Sequence, residues 1–272
     1  MMRTVFRPIT AERGFTLIEL IVVIVIVGIL AVLGGQFIVT PVNQYIDLAR
    51  RTRLVDQGEM VLRRMQRDVR QALPNSLRIG GGGKYLELLH TSDGGRYRRY
   101  LDPVTGGDLL DFTTADVSFD VLGVLRAAPL SGQRLVIYNV SASGVAGNVY
   151  ANAPDNMAMI GTGSTLNHVI LTPAFNFKHK SPYQRFFIVD EPLTYACEGN
   201  VLNRYAGYAP TASQPTPPGV TPALVTKNVS SCNFSYDPGA SQRAGLVTLR
   251  LSLTESGETI TLLHQIHVLN AP

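Results

Sequence analysis

The chain has 272 residues, 45% hydrophobic and 16% charged, enough apolar material to bury at least one real core and argue against whole-chain disorder. Its formal net charge is +4, and Arg3, Arg7 and Arg13 against Glu12 put half of that into the first 13 residues. The remainder is too weak a balance to argue for a polyanion, so no nucleic-acid partner is expected.

Leu20 to Val39 reads LIVVIVIVGILAVLGGQFIV, without a charge and with Gln36 as its one strongly polar residue. At about 1.5 Å per residue such a helix crosses the roughly 30 Å hydrocarbon core of a bilayer. The β-branched run Ile21 to Val27 disfavours a helix in water, but lipid forces the backbone to satisfy itself internally. A cleaved secretory signal fits poorly. The apolar run is too long, no small-x-small site follows it, and the cleavable-looking Gly14 precedes it. Glu19 stands at the edge of this apolar helix, where a carboxylate is expensive and needs a partner.

Gly14-Phe15-Thr16-Leu17-Ile18-Glu19-Leu20, followed by that apolar stretch, resembles the processing and methylation motif of type IV prepilins and type II secretion pseudopilins. The resemblance implies a basic leader, 1–14, removed by a prepilin peptidase between Gly14 and Phe15, and N-methylation of the new amine of Phe15. It also implies a transmembrane helix over 15–40 and an assembly role for Glu19, which answers the N-terminal charge of a neighbouring subunit. A Glu19 that merely reaches the headgroups is the plainer alternative. The implied partners are the peptidase, other pilin and minor pilin subunits, an inner-membrane assembly platform and membrane lipid; no cofactor is implied. Arginines flank the span on both sides, Arg3, Arg7 and Arg13 before it and Arg50, Arg51 and Arg53 after it, so charge counting does not orient it. The motif does: leader in the cytoplasm, body in the periplasm. Gly34-Gly35 and then Pro41 are the expected positions for a bend.

Residues 41–74 read as an amphipathic helix, with Leu54, Gly58, Val61, Met65, Val69 and Ala72 at three- and four-residue spacing up to Pro74. Its other faces are rich in arginine, from Arg50 to Arg70, as on a solvated helix surface. Residues 75–272 read as a β-rich periplasmic domain, which makes the fold class α+β: a long N-terminal helix packed on an antiparallel sheet. The run Gly80 to Gly83 reads as flexible. Strands are expected at Tyr85 to Leu89, Val117 to Val121, Leu135 to Val140, His168 to Leu171, Arg185 to Val189, Leu193 to Cys197, Val201 to Tyr205, Leu246 to Leu253 and Thr259 to Val268. Glu198-Gly199-Asn200 and Glu255-Ser256-Gly257 join hairpins, and Asp93-Gly94-Gly95 and Gly106-Gly107-Asp108 look like turns.

Little in this body suggests chemistry, and no enzyme is indicated. Cys197 and Cys232 form no CxxC pair and lie at no metal-ligand spacing; outside the cytoplasm they read most simply as one disulfide, with two buried thiols as the alternative. His264 and His267, three apart in a strand, face opposite ways and do not chelate together. No serine sits in a GxSxG setting, the glycine run lacks GK[ST], and no dense acidic ladder marks a calcium loop, so no metal is expected. A body of about 200 residues suits a minor subunit better than one packed in long helical array. The segment 63–76, RRMQRDVRQALPNS, with Arg185 to Asp190 and the two cysteines, resembles the MshO-type minor pilins of mannose-sensitive haemagglutinin (MSHA) pilus biogenesis. A J-type pseudopilin of type II secretion shares the anchor and the β-rich body, and a signal-anchored periplasmic protein is the rival from another class.

Overall fold

The computed structural model describes residues 14–144, 146–239 and 244–272; the expected leader, apart from Gly14, lies outside the described residues. The chain divides into two compact units, Met1–Arg50 and Arg51–Pro272. A 54-residue helix, α1 (Leu17–Arg70), supplies the first unit and enters the second. It is helical through Gly34, Gly35 and Pro41.

Within the second unit α1 buries the stripe that the spacing predicts: Leu54, Val61, Met65 and Val69 join a core with Leu249, Leu251, Leu253 and Ile260. Gly58 lies on the same stripe, and a Cβ there would come within 2.5 Å of Leu262 Cδ1, so the missing side chain lets helix and sheet approach closely. The helix stops at Arg70, earlier than the expected Pro74. The Ala72 amide turns back to the Val69 carbonyl at 3.2 Å, and the Leu73 amide is already bonded to the Leu89 carbonyl at 2.8 Å.

Among the described residues twelve strands come after the helix. A seven-stranded antiparallel sheet holds β1 (Arg78–Gly80), β2 (Tyr85–Arg96), β4 (Arg134–Val136), β5 (Met157–Met159), β7 (Arg185–Glu198), β8 (Val201–Ala206) and β9 (Ala223–Thr226). Its order is β1-β2-β7-β4-β5, with β8 and then β9 branching from β7. A three-stranded sheet holds β10 (Val229–Asp237), β11 (Gly245–Glu255) and β12 (Glu258–Val268) in sequence order, and β3 (Asp116–Asp120) pairs with β6 (His168–Phe175). The two expected hairpins are present: Gly199-Asn200 connects β7 to β8, and Ser256-Gly257, both at positive φ, connects β11 to β12.

Further details differ from the sequence reading. The two strands expected on either side of Pro192 are one strand, β7. Leu89, opposite Pro192, sends its amide to Ser76 Oγ and its carbonyl to Leu73, so this is a non-hydrogen-bonded pair and the proline faces the gap where the β7 partner changes from β4 to β8. Asp93-Gly94-Gly95 is not a turn but part of β2: a Cβ at Gly94 would lie 2.9 Å from the Phe186 carbonyl, and one at Gly95 would lie 2.9 Å from the Phe186 ring. The strand expected through Val140 ends at Val136, because Tyr138 takes a φ of 54° and turns the chain away. The run Gly80 to Gly83 is an ordered turn closed by a bond from the Gly83 amide to the Gly80 carbonyl at 3.1 Å. Strands β1, β5, β9 and β10 were not expected, although Cys232, Phe234 and Tyr236 alternate along β10.

One buried ion pair ties the irregular segments to the sheet. Arg78 and Glu87 are cross-strand partners in β1 and β2, bonded at 2.8 and 3.1 Å, with the Glu87 side chain fully buried. The same guanidinium lies 3.7 Å from the centre of the Tyr150 ring and donates to the carbonyls of Thr211 and Ala212 at 2.9 and 3.0 Å. One side chain therefore anchors both the long loop after β4 and the proline-rich stretch after β8. Arg78→Leu should cost about 3–5 kcal/mol by leaving Glu87 buried without its partner. Denaturant unfolding of the full chain in detergent measures this, and an unchanged midpoint would contradict the anchoring role.

Candidate functional site

Gly14 and Phe15 precede α1 and are exposed, Phe15 to 82%. Thr16 caps the helix: its Oγ1 accepts the Glu19 amide at 3.3 Å, and its carbonyl accepts the Leu20 amide at 3.1 Å. Thr16-Leu17-Ile18-Glu19 has the spacing of a capping box, so one short segment sets both where the helix starts and where its first carboxylate stands. Glu19 is exposed in the first turn, where the unsatisfied amides make a negative charge favourable. The T-x-x-E spacing is the sequence signal for this cap, and the reading of Glu19 as a charge alone passed over it.

From Leu17 to Gly34 the helix has a mean hydropathy of 3.1, and none of it is buried within the chain. At about 1.5 Å per residue this stretch is about 27 Å long, close to the bilayer core. This window lies inside the expected span 15–40 and takes in Leu17 and Ile18, which are exposed and apolar like the run that opens at Leu20. The side chains of Gln36 and its neighbours at 35 and 38–40 lie outside the described residues.

Residues 9–34 match the family model described as the prokaryotic N-terminal methylation motif. The N-terminus thus carries a prepilin-like methylation motif. The match covers the motif and the apolar half of α1 and leaves the β-rich unit untouched. No curated protein and no solved structure matches the chain. The methylation motif supports a type IV pilin-like protein, a structural class, and implies processing by a prepilin peptidase; the apolar helix fits a single-pass membrane anchor.

Cys197 in β7 and Cys232 in β10 form a disulfide, with 6.2 Å between their Cα atoms. It lies where two backbone bonds also meet: the Cys197 amide donates to the Lys84 carbonyl at 2.9 Å, and the Phe234 amide to the Gly83 carbonyl at 2.7 Å. The seven-stranded and three-stranded sheets are thus joined at one corner by covalent and polar contacts together. Beside it, Glu198 accepts from Tyr85 Oη at 3.1 Å, Tyr205 Oη at 2.7 Å and Asn203 Nδ2 at 2.8 Å. Burial, followed by this carboxylate, pushes the Tyr205 hydroxyl up to about 12, so it stays a donor at any physiological pH.

Elsewhere polar side chains are engaged with one another. A cleft of about 590 Å3 opens where β7 changes partners, lined by His90, Gln133, Arg134, Asp190, Glu191 and Arg204. His90 has both ring nitrogens engaged, Nδ1 with Asp190 at 2.9 Å and Nε2 with Gln71 at 3.0 Å, and offers neither to a nucleophile. Gly106 and Gly107 lie in the expected turn, at positive φ, and Asp102 Oδ1 accepts the amides of Val104 and Thr105. Among the described residues no group of three His, Cys, Asp or Glu side chains could hold a metal ion. His264 faces α1 and meets Gln66 at 3.1 Å, whereas His267 is exposed on the other face.

With its cysteines 35 positions apart in sequence, the disulfide should contribute about 3–4 kcal/mol in the chain-entropy picture. The paired variant Cys197→Ser with Cys232→Ser should therefore unfold at lower denaturant than the oxidised parent and match the reduced parent. Equal midpoints for all three would contradict a stabilising bond.

Proposed function

We propose that this chain is a minor pilin-like subunit of an MSHA-type type IV pilus, made as an inner-membrane precursor with its β-rich unit in the periplasm. A prepilin peptidase cuts between Gly14 and Phe15 and methylates the Phe15 amine; Glu19 then guides the helix into the filament. The observation that carries this reading is the methylation-motif match over residues 9–34, with Glu19 in the first turn of an apolar helix that the chain itself does not bury. Support for the MSHA type comes from the sequence likeness of 63–76, Arg185 to Asp190 and the two cysteines.

Cleavage would place a positive amine one residue before the Thr16 cap, at the end of the helix where the dipole is also positive. Both effects disfavour that amine in a low-dielectric filament, and Glu19, its own or that of the adjacent subunit, is the group able to offset them. Among the described residues Gly14 has nothing within 4 Å of where a Cβ would sit, and a glycine there leaves the scissile bond open to the peptidase.

Glu19→Ala separates this role from simple anchoring, because the two effects have opposite signs. Removing the charge should ease membrane insertion, by roughly 2 to 3 kcal/mol at a helix centre and less near its end, and leave cleavage intact. Recovery of the subunit with sheared pili should fall at least tenfold at matched expression, as expected for about 1.4 kcal/mol or more of lost pairing. Normal recovery of Glu19→Ala with the pili would remove the assembly role.

A further inference from the structure

The whole-chain charge balance hides a local concentration that the fold creates. Two segments far apart in sequence, Arg96-Tyr97-Arg98-Arg99-Tyr100 and Lys178-His179-Lys180-Ser181-Pro182-Tyr183-Gln184-Arg185, meet at one end of the β2–β7 ladder. The Tyr97 amide donates to the Gln184 carbonyl at 2.9 Å, and Tyr97 Oη donates to the Ser181 carbonyl and accepts the Ser181 amide, at 3.3 and 3.0 Å. Tyr97 is buried and serves as the pin between the two segments, leaving their cations on the surface.

Three observations single this patch out. First, Arg96 and Arg185 are direct cross-strand partners, a like-charge pair that a ladder ordinarily avoids. Second, among the described residues none of Arg96, Arg98, Arg99, Lys180 or Arg185 has a carboxylate within 4 Å, whereas Arg50, Arg63, Arg78 and Arg204 are all ion-paired. Arg185 reaches only the Ala271 carbonyl at 3.4 Å, and Arg98, whose Nε is buried without an acceptor, senses Asp102 and Asp120 at longer range. Third, cations and aromatic rings alternate: Arg99 lies 5.4 Å from the Tyr100 ring, Arg185 lies 5.0 Å from Tyr183, and Lys180 lies 5.3 Å from Phe112. Tyr100 and Tyr183 are 72% and 58% exposed, so their rings are open to a stacking partner. Arg98, Arg99, Phe112 and Lys180 line a cleft of about 270 Å3 between the segments.

We propose that this patch binds single-stranded nucleic acid, the phosphates held by the unpaired guanidinium and ammonium groups and the bases stacked on Tyr100 and Tyr183. The chemistry favours it over a sugar polymer. Neutral sugars need acceptors for their hydroxyls, and the charged side chains here are donors only. A uronate polysaccharide such as hyaluronate is charged only on alternate sugars, whereas a phosphodiester at every nucleotide suits cations set directly opposite one another on a ladder. Open aromatic faces beside arginines supply the sequence-tolerant stacking of single-strand binders.

The test is fluorescence anisotropy with the full chain in nonionic detergent and labelled oligothymidylate of about 20 nucleotides, longer than one such face covers. Arg99→Gln with Lys180→Gln should weaken binding at least tenfold and flatten the salt dependence by about 0.7 in log-log slope per cation removed. Tyr100→Ala and Tyr183→Ala, at exposed positions, should each lower affinity about fivefold or more with the slope unchanged. Arg51→Gln with Arg53→Gln, removing equal charge from the exposed face of α1, should leave affinity within about twofold. The proposal is overturned if the parent does not bind at low salt, if the tyrosine variants bind like the parent, if the α1 variant weakens binding as much as the patch variant, or if hyaluronate at matched charge competes as well as unlabelled oligothymidylate.

Discussion

From Leu17 to Gly34, α1 carries apolar side chains that nothing in the chain covers. At about 1.5–3 kcal/mol for each fully buried large aliphatic side chain, leaving this surface in water would cost tens of kcal/mol, more than the whole stability of an ordinary domain. Something outside the chain must take it up, a bilayer core matches it in length, and that requirement governs the rest. A helix with so apolar a surface tolerates a charge only at its end, where Glu19 stands in the first turn. It also needs a sharply defined start, which the Thr16 cap provides at the point where the methylation motif ends its polar part.

The second half of the same helix is written for a different solvent. Its stripe from Leu54 to Val69 is buried against a sheet, and Gly58 allows the contact to be close. The β-rich unit then has to hold two long irregular stretches that bury little apolar surface of their own, and it does so with polar anchors. Arg78 gathers both from one fully buried carboxylate, and the Cys197–Cys232 bond fastens the two larger sheets where the Glu198 cluster also lies. Buried ions and a disulfide thus do the fixing that helices do elsewhere.

Legibility in the sequence tracked the strength of local signals. The apolar span, the amphipathic stripe and both tight hairpins have a period or a turn chemistry that few other structures satisfy, and each lies where its residues indicated. Pro192 and Gly94-Gly95 misled because local rules treat proline and glycine as breaks. Here the proline faces a gap between two partner strands, and the glycines make room for Phe186, conditions that only the assembled sheet reveals. Strand β10 has alternation that could have been read, but its serines and asparagine gave it the look of a loop. Of the proposed N-terminal site, Gly14, Phe15 and Glu19 come from the motif alone, whereas the Thr16 cap emerged only with the helix start. The convergence of Arg96 to Tyr100 with Lys178 to Arg185 was beyond sequence reasoning, since a charge total cannot say which arginines become neighbours.

The account turns on whether the chain is processed as a prepilin. Mass spectrometry of the N-terminal peptide of the mature protein, recovered from the envelope of cells that contain a prepilin peptidase, tests this directly. A peptide that begins at Phe15 and carries one methyl group on its amine is the expected result. A mature chain that retains Met1, or one that begins beyond the apolar stretch, would contradict the account.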